Sequence, residues 1–228
     1  MGGFAAVFLM GPPGAGKTTM ATLFAERTGA RPVRSGEMLR RVAAESPDAA
    51  LRRTLMEYLP TSAPVPPEVY LRAVRDAFRE AEPGPLVFDG YPKSVRQCDS
   101  VPELLAAGGL ADPAITGFLF EVTAETIERR TRARETCANC GNETSLDGAC
   151  CASPAIVRRP DDAPDRLRDR YAEYRSSIEA IGAEFAARWP LHRLDVERPP
   201  ETIVAEIIRL SGVRAAAPDG RRDDSRSA

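Results

Sequence analysis

A basic surplus is missing from this 228-residue sequence: 31 lysines and arginines face 33 aspartates and glutamates, for a formal net charge of −2. With no global positive field, nothing draws the whole surface to nucleic acid or to an anionic membrane, and neither is expected as a partner. Any anion chemistry must come from local clusters. Lysine itself is nearly absent: only Lys17 and Lys93 occur, and every other formal cation is an arginine. Each lysine therefore carries information. No apolar run is long enough to span a bilayer. The early run "FAAVFLM" has no basic residue before it and leads into a glycine-rich loop, so it reads as a buried strand and not a signal peptide. Ala6 breaks the acylation pattern that the opening "MGG" suggests. Cysteine is sparse, five in all, yet four fall within "CANCGNETSLDGACC", Cys137 to Cys151. Without an export signal a cytoplasmic location is expected, thiols stay reduced, and clustered cysteines favour metal over disulfide.

What is present fits one medium-sized domain with inserted subdomains, since 43% hydrophobic content over this length supports one such core. Strand-like runs at 4–10, 85–90, 117–122 and 191–196 alternate with helical patterns, and 31–35 is a candidate further strand. That alternation predicts an α/β fold: a parallel central sheet with helices on both faces, a three-layer sandwich. Residues 36–82 read as a helical insertion, broken by "LPTSAPVPPE", and 135–160 as a second insertion rich in Cys, Gly and Pro. The core is then 1–35, 83–134 and 161–212, with 213–228 as a disordered tail. A long helix follows Asp161, with Asp162 placed to cap it, Pro164 in its first turn and Asp165 near its positive dipole end. Cys98 and His192 read as packed structural residues, and Phe185 and Trp189, at helical spacing, as core.

The strongest motif is "GPPGAGKT", which fits G-x-x-x-x-G-K-T directly after a strand and before the helical "TTMATLFAERTG". In that context the backbone N–H groups of a loop and a helix N-terminus cradle phosphates, and Lys17 reaches their outer oxygens. Nucleotide binding follows, with Gly14, Ala15, Gly16, Lys17, Thr18 and Thr19 as the ATP-binding stretch.

Around this loop the chain resembles the adenylate kinase family of nucleoside monophosphate kinases. "GPPGAGKTT" is similar to that family's phosphate loop, "RSGEMLRR" to the start of its monophosphate-binding helix, and "VFDGYPKSVRQCD" to its "DGFPR…Q" segment. "ERRTRARETCANCG" and "RRPDDAPDRLRDRYAEY" resemble the two borders of its lid. Five motifs in order cover nearly the whole chain. The resemblance implies Mg²⁺-dependent transfer of a phosphoryl group between ATP and AMP by a monomeric enzyme. Lys17, Arg134, Arg159 and Arg170 would be catalytic, and Arg130 would cover the ATP base. Ser35, Arg40, Gly90, Lys93 and Gln97 would hold AMP, and Thr18 and Asp89 would hold magnesium. The cations make chemical sense, because bringing two polyphosphates together requires neutralisation of the transferring group. Arg130 and Arg134, four apart on a predicted helix, share a face.

The sequence departs from the family at two positions. Thr18 stands where the family has glycine, keeping the general G-K-[ST] rule and offering a hydroxyl to Mg²⁺. Lys93 stands where the family has an arginine that grips the acceptor phosphate, replacing a bidentate fork by a point charge. Lys93 therefore reads as a choice suited to a differently placed phosphate or an unusual acceptor. Two alternatives stay open: a kinase for another nucleoside monophosphate or a phosphorylated metabolite, and a non-catalytic nucleotide sensor.

The cysteine stretch falls in the lid, where some bacterial members carry a zinc knot of two C-x-x-C pairs. Cys137 and Cys140 keep that spacing; Cys150 and Cys151 are adjacent. Zinc-bound thiolates lie roughly 3.8 Å apart at Zn–S distances of about 2.3 Å, whereas adjacent side chains on an extended chain point to opposite sides. A turn at 149–152, which Gly148 permits, is needed for all four to bind zinc. Structural zinc, a metal-free lid with remnant cysteines, and a disulfide remain the readings.

Overall fold

The computed structural model describes residues 4–59, 63–78, 84–110, 112–132, 135–137, 155–157 and 163–214. Five strands make the central sheet: β1 Ala5–Met10, β2 Arg31–Arg34, β3 Leu86–Asp89, β4 Ala114–Glu121 and, last in the chain, β7 Leu191–Asp195. They pair in parallel in the order β2-β3-β1-β4-β7. The chain leaves β1 for one side of the sheet, then crosses to the other, which puts the carboxyl end of β1 at a topological switch point, where such sheets bind ligands. The expected α/β sandwich is present, and the candidate strand at 31–35 is the edge strand β2.

Alternation along β1 divides the core. Ala6, Phe8 and Met10 face one layer and Val7 and Leu9 the other, all buried, as a sheet covered on both faces requires. On the Val7 face lie α1 (Lys17–Thr28) and α9 (Pro200–Ser211), through Met20, Phe24, Ile203 and Ile207. On the Phe8 face lie α2 (Ser35–Glu45), α3 (Ala49–Tyr58), α4 (Pro67–Ala77), α5 (Val95–Asp99), α6 (Val101–Ala107) and α8 (Pro164–Ala186). Phe8 stacks on Phe88 with centroids 4.6 Å apart and meets the edge of Phe185 at 5.6 Å. Gly117 makes room for Phe185: a Cβ there would lie 2.6 Å from its ring and 2.9 Å from Leu191.

The first insertion, between β2 and β3, contains α2, α3 and α4. Asp48 caps α3 by accepting from the N–H groups of Ala50 at 3.1 Å and Leu51 at 3.0 Å, and Arg72 of α4 pairs with the same carboxylate. After β4 comes α7 (Ala124–Arg132), then strands β5 (Thr136–Cys137) and β6 (Ile156–Val157), which pair antiparallel. Ala163 holds the N-cap position of α8, while the expected cap Asp162 lies outside the described residues; Asp165 sits in the first turn. Cys98 is fully buried and its thiol is pushed up to about 12, chiefly by desolvation, so it is an inert packed group. His192 stacks on Phe118 at 5.5 Å, and Trp189, only partly buried, packs against Phe185. Among the described residues no helix is long and apolar enough to cross a membrane.

Candidate active site

The loop between β1 and α1 is built by glycine. Gly14 and Gly16 have φ of +81° and +86°, left-handed conformations that a side chain resists. Gly14 is tight as well, since a Cβ there would lie 2.9 Å from Cγ2 of Ile127 on α7. Lys17 folds back over the loop, donating to the carbonyls of Gly11 at 2.9 Å and Pro12 at 2.7 Å. Thr18 donates its hydroxyl to Oδ2 of Asp89 at 2.6 Å, joining the helix start to the end of β3. A loop threonine and a strand-end aspartate so paired form the set that holds Mg²⁺ in P-loop enzymes. The residues fit that ion. Arg130 reaches from α7 to the same loop, donating to the carbonyls of Ala15 at 3.3 Å and Val196 at 2.7 Å. Desolvation lowers its pKa.

A second group of side chains faces this loop across a cavity of about 1060 Å³. The sites expected for AMP line it together: Ser35 and Arg40 from α2, Gly90 and Lys93 from the turn after β3, and Gln97 from α5. Asp89, Arg130, Arg170 of α8 and the whole stretch from Gly14 to Thr19 line the same cavity. Gly90, with φ +77°, lies between the chain's two lysines: a Cβ there would be 3.7 Å from Cε of both Lys17 and Lys93. Lys93 lines the cleft as an exposed side chain, and desolvation there lowers its pKa, with Arg170 and Arg40 adding to that effect. Asp89 and Glu173 pull the other way.

Three features of this wall were not visible in sequence. The Ser35 hydroxyl is hydrogen-bonded to Tyr70 at 2.7 Å. The Gln97 amide is held at both ends, its Oε1 accepting from the Lys93 N–H at 2.7 Å and its Nε2 donating to the Val65 carbonyl at 2.7 Å. Tyr91 and Glu173 also line the cleft. Of Tyr70 the sequence signals only a buried position on amphipathic α4; nothing local says which cavity it meets. Arg134, Arg159, Cys140, Cys150 and Cys151 lie outside the described residues. Cys137, on β5, is buried, and among the described residues no group of three or more His, Cys, Asp or Glu could hold a metal.

A glycine-built phosphate loop at the switch point of a parallel sheet, with a threonine–aspartate pair and a second cationic wall opposite, defines a P-loop phosphotransferase acting on a phosphate acceptor. Comparison narrows the class. The chain belongs to the adenylate kinase family: residues 9–188 match the family model described as "Adenylate kinase". Its curated relatives include an adenylate kinase of Novosphingobium aromaticivorans, 30% identical over 220 residues, covering 91% of this chain and 99% of the relative. An adenylate kinase of Rhizorhabdus wittichii is 33% identical over 201 residues, covering 83% and 91% respectively. One from Lachnospira eligens is 27% identical over 216 residues, covering 90% and 99%.

Proposed function

We propose that the protein catalyses reversible, Mg²⁺-dependent transfer of the γ-phosphoryl group of ATP to AMP, giving two ADP. The observation that carries this reading is the single cleft that joins the phosphate loop to a second set of cations, Arg40, Lys93 and Arg170. A protein that only sensed ATP would need no cations for a second phosphate. In this reading Gly14 to Thr19 bind the ATP phosphates, and Lys17 exchanges its loop carbonyls for phosphate oxygens. Thr18 and Asp89 hold Mg²⁺, which would neutralise charge on the phosphates. Arg170, with Arg134 and Arg159 of the lid borders, surrounds the transferring group, a role in which arginines are worth about 10³- to 10⁵-fold in rate. Arg130 packs at the ATP base, while Ser35, Arg40, Gly90, Lys93 and Gln97 form the acceptor side.

The proposed units are a core of 1–35, 83–134 and 161–212, an acceptor-binding insertion of 36–82, a lid of 135–160 and a tail of 213–228. The protein is proposed to be a cytoplasmic monomer. Coupled ADP detection with ATP, Mg²⁺ and a panel of nucleoside monophosphates tests the reading; turnover is expected with AMP and is lost when the metal is chelated. No turnover with any acceptor would leave a nucleotide-binding protein instead. Lys93 favours a second reading, in which the acceptor is another nucleoside monophosphate or a phosphorylated metabolite. Structural Zn²⁺ on Cys137, Cys140, Cys150 and Cys151 is part of the proposal, supported by the first C-x-x-C spacing. Less than one equivalent of tightly held zinc in protein purified without chelator would count against it.

A further inference from the structure

Ser35 is the side chain expected to meet the acceptor base, yet it is 3% exposed and its hydroxyl is already engaged with Tyr70. Tyr70 comes from α4, thirty-five residues along the chain, and is 2% exposed. Its ring stacks on Tyr91 with centroids 4.4 Å apart and planes 27° from parallel. Tyr91 is itself fixed, donating its hydroxyl to the Gln97 carbonyl at 3.1 Å and pairing with Ser100 at 2.8 Å. The Tyr70 ring is thus held by a stack on one face and by a hydrogen bond at its tip. It cannot swing aside without losing both. Beside it, Gln97 is bonded to one main-chain N–H and one main-chain carbonyl, which fixes the amide's orientation. This end of the cleft is therefore a preassembled wall whose polar groups are paired within the protein, with an aromatic ring standing next to Ser35.

We propose that Tyr70 is a specificity-determining residue for the acceptor: its ring forms the end wall of the base pocket and sets the size of base admitted, with Ser35 as its anchor. This deepens the proposed function and rests on it. A base that displaced the ring would strand a buried hydroxyl on Ser35 and another on Tyr70, a loss that the base would have to replace by hydrogen bonds of its own. Selection at this wall therefore acts mainly through volume. Removing the ring opens the pocket towards larger bases, and removing the hydroxyl alone does not.

The test compares kcat/KM for AMP with that for UMP and CMP in the wild type, Tyr70→Val and Tyr70→Phe. A change of one methylene in a pocket alters selectivity by about 10- to 200-fold. The purine-to-pyrimidine ratio is accordingly expected to rise at least tenfold in Tyr70→Val, while Tyr70→Phe keeps the wild-type ratio. A purely structural role would lower the unfolding midpoint in both variants without moving the ratio. An unchanged ratio in folded Tyr70→Val overturns the assignment, and Tyr70→Leu carries the comparison if valine does not fold. Calorimetric binding of the same monophosphates gives a readout independent of turnover. Absence of binding by every monophosphate overturns both this inference and the proposed function; turnover with an unchanged ratio overturns this one alone.

Discussion

Lys93 shows what one side chain can change. An arginine at that point would stay charged at every accessible pH, whereas a lysine held below its ordinary value by the cleft walls and by Arg170 and Arg40 loses its proton earlier. In the proposed function the charged form is the one that attracts the acceptor phosphate, so the sign is fixed: as pH rises through the lowered pKa, acceptor binding is expected to weaken. KM for the acceptor is expected to climb on the alkaline side in the wild type and to stay flat over that range in Lys93→Arg. Kinetics with the acceptor panel at several pH values checks this, and identical profiles would remove any special role for lysine. At this scale the sequence was partly legible. Lys93 stood out because lysine is so rare, and Thr18 and Asp89 because each falls at a motif's fixed offset. Tyr70 did not, because its partners Ser35 and Tyr91 belong to segments far from it in sequence and become its neighbours only through packing.

Among elements, β4 shows how a strand can be legible in outline and hidden in its reason. An apolar run predicts a strand at 117–122, and the strand spans Ala114–Glu121. Nothing local explains the glycine within it. The reason comes from α8, whose Phe185 occupies the space a side chain at Gly117 would need. Gly117→Ala forces an overlap with Phe185, Leu191 and Met10 together, and overpacking of this kind costs typically 1–3 kcal/mol. Denaturant unfolding is expected to show a lower midpoint with an unchanged slope. The start of α7 depends on a different device. Glu197 accepts from the Thr123 side chain at 2.5 Å and from the Thr123 backbone N–H at 2.9 Å, tying the segment after β7 to the segment before α7.

That tie sets an expectation for the whole molecule. The Thr123 hydroxyl, the Thr123 N–H and the Thr126 hydroxyl hold the Glu197 carboxyl at about 2, below its ordinary 4.5. A pKa depressed on folding stabilises the native state above the unfolded value, and the contribution disappears as pH falls through the folded one. Part of the acid loss of stability between about pH 4.5 and about 2 therefore belongs to Glu197. In Glu197→Gln the unfolding midpoint is expected to vary less steeply with pH over that window; an equal slope would assign the loss to other carboxylates. At this scale the α/β layering was legible, because parallel strands buried on both faces leave long apolar runs. The order of strands was not, since it depends on which runs pair in space. Helix α1 lies on one face of the sheet and α2 to α4 on the other, so opposite layers line the one cleft.

The bonds from Lys17 to the carbonyls of Gly11 and Pro12 have a consequence for how the first substrate is selected. The loop offers Lys17 its own neutral oxygens, and in the proposed function an incoming phosphate chain must outcompete them. Occupation is then a swap, so affinity reflects the difference between two sets of oxygens and not the full attraction of one. Weakly charged anions gain little from such a swap, and a polyphosphate with several oxygens to offer gains most. In the proposed function, the two loop carbonyls thus set a threshold that an anion must exceed to draw Lys17 away.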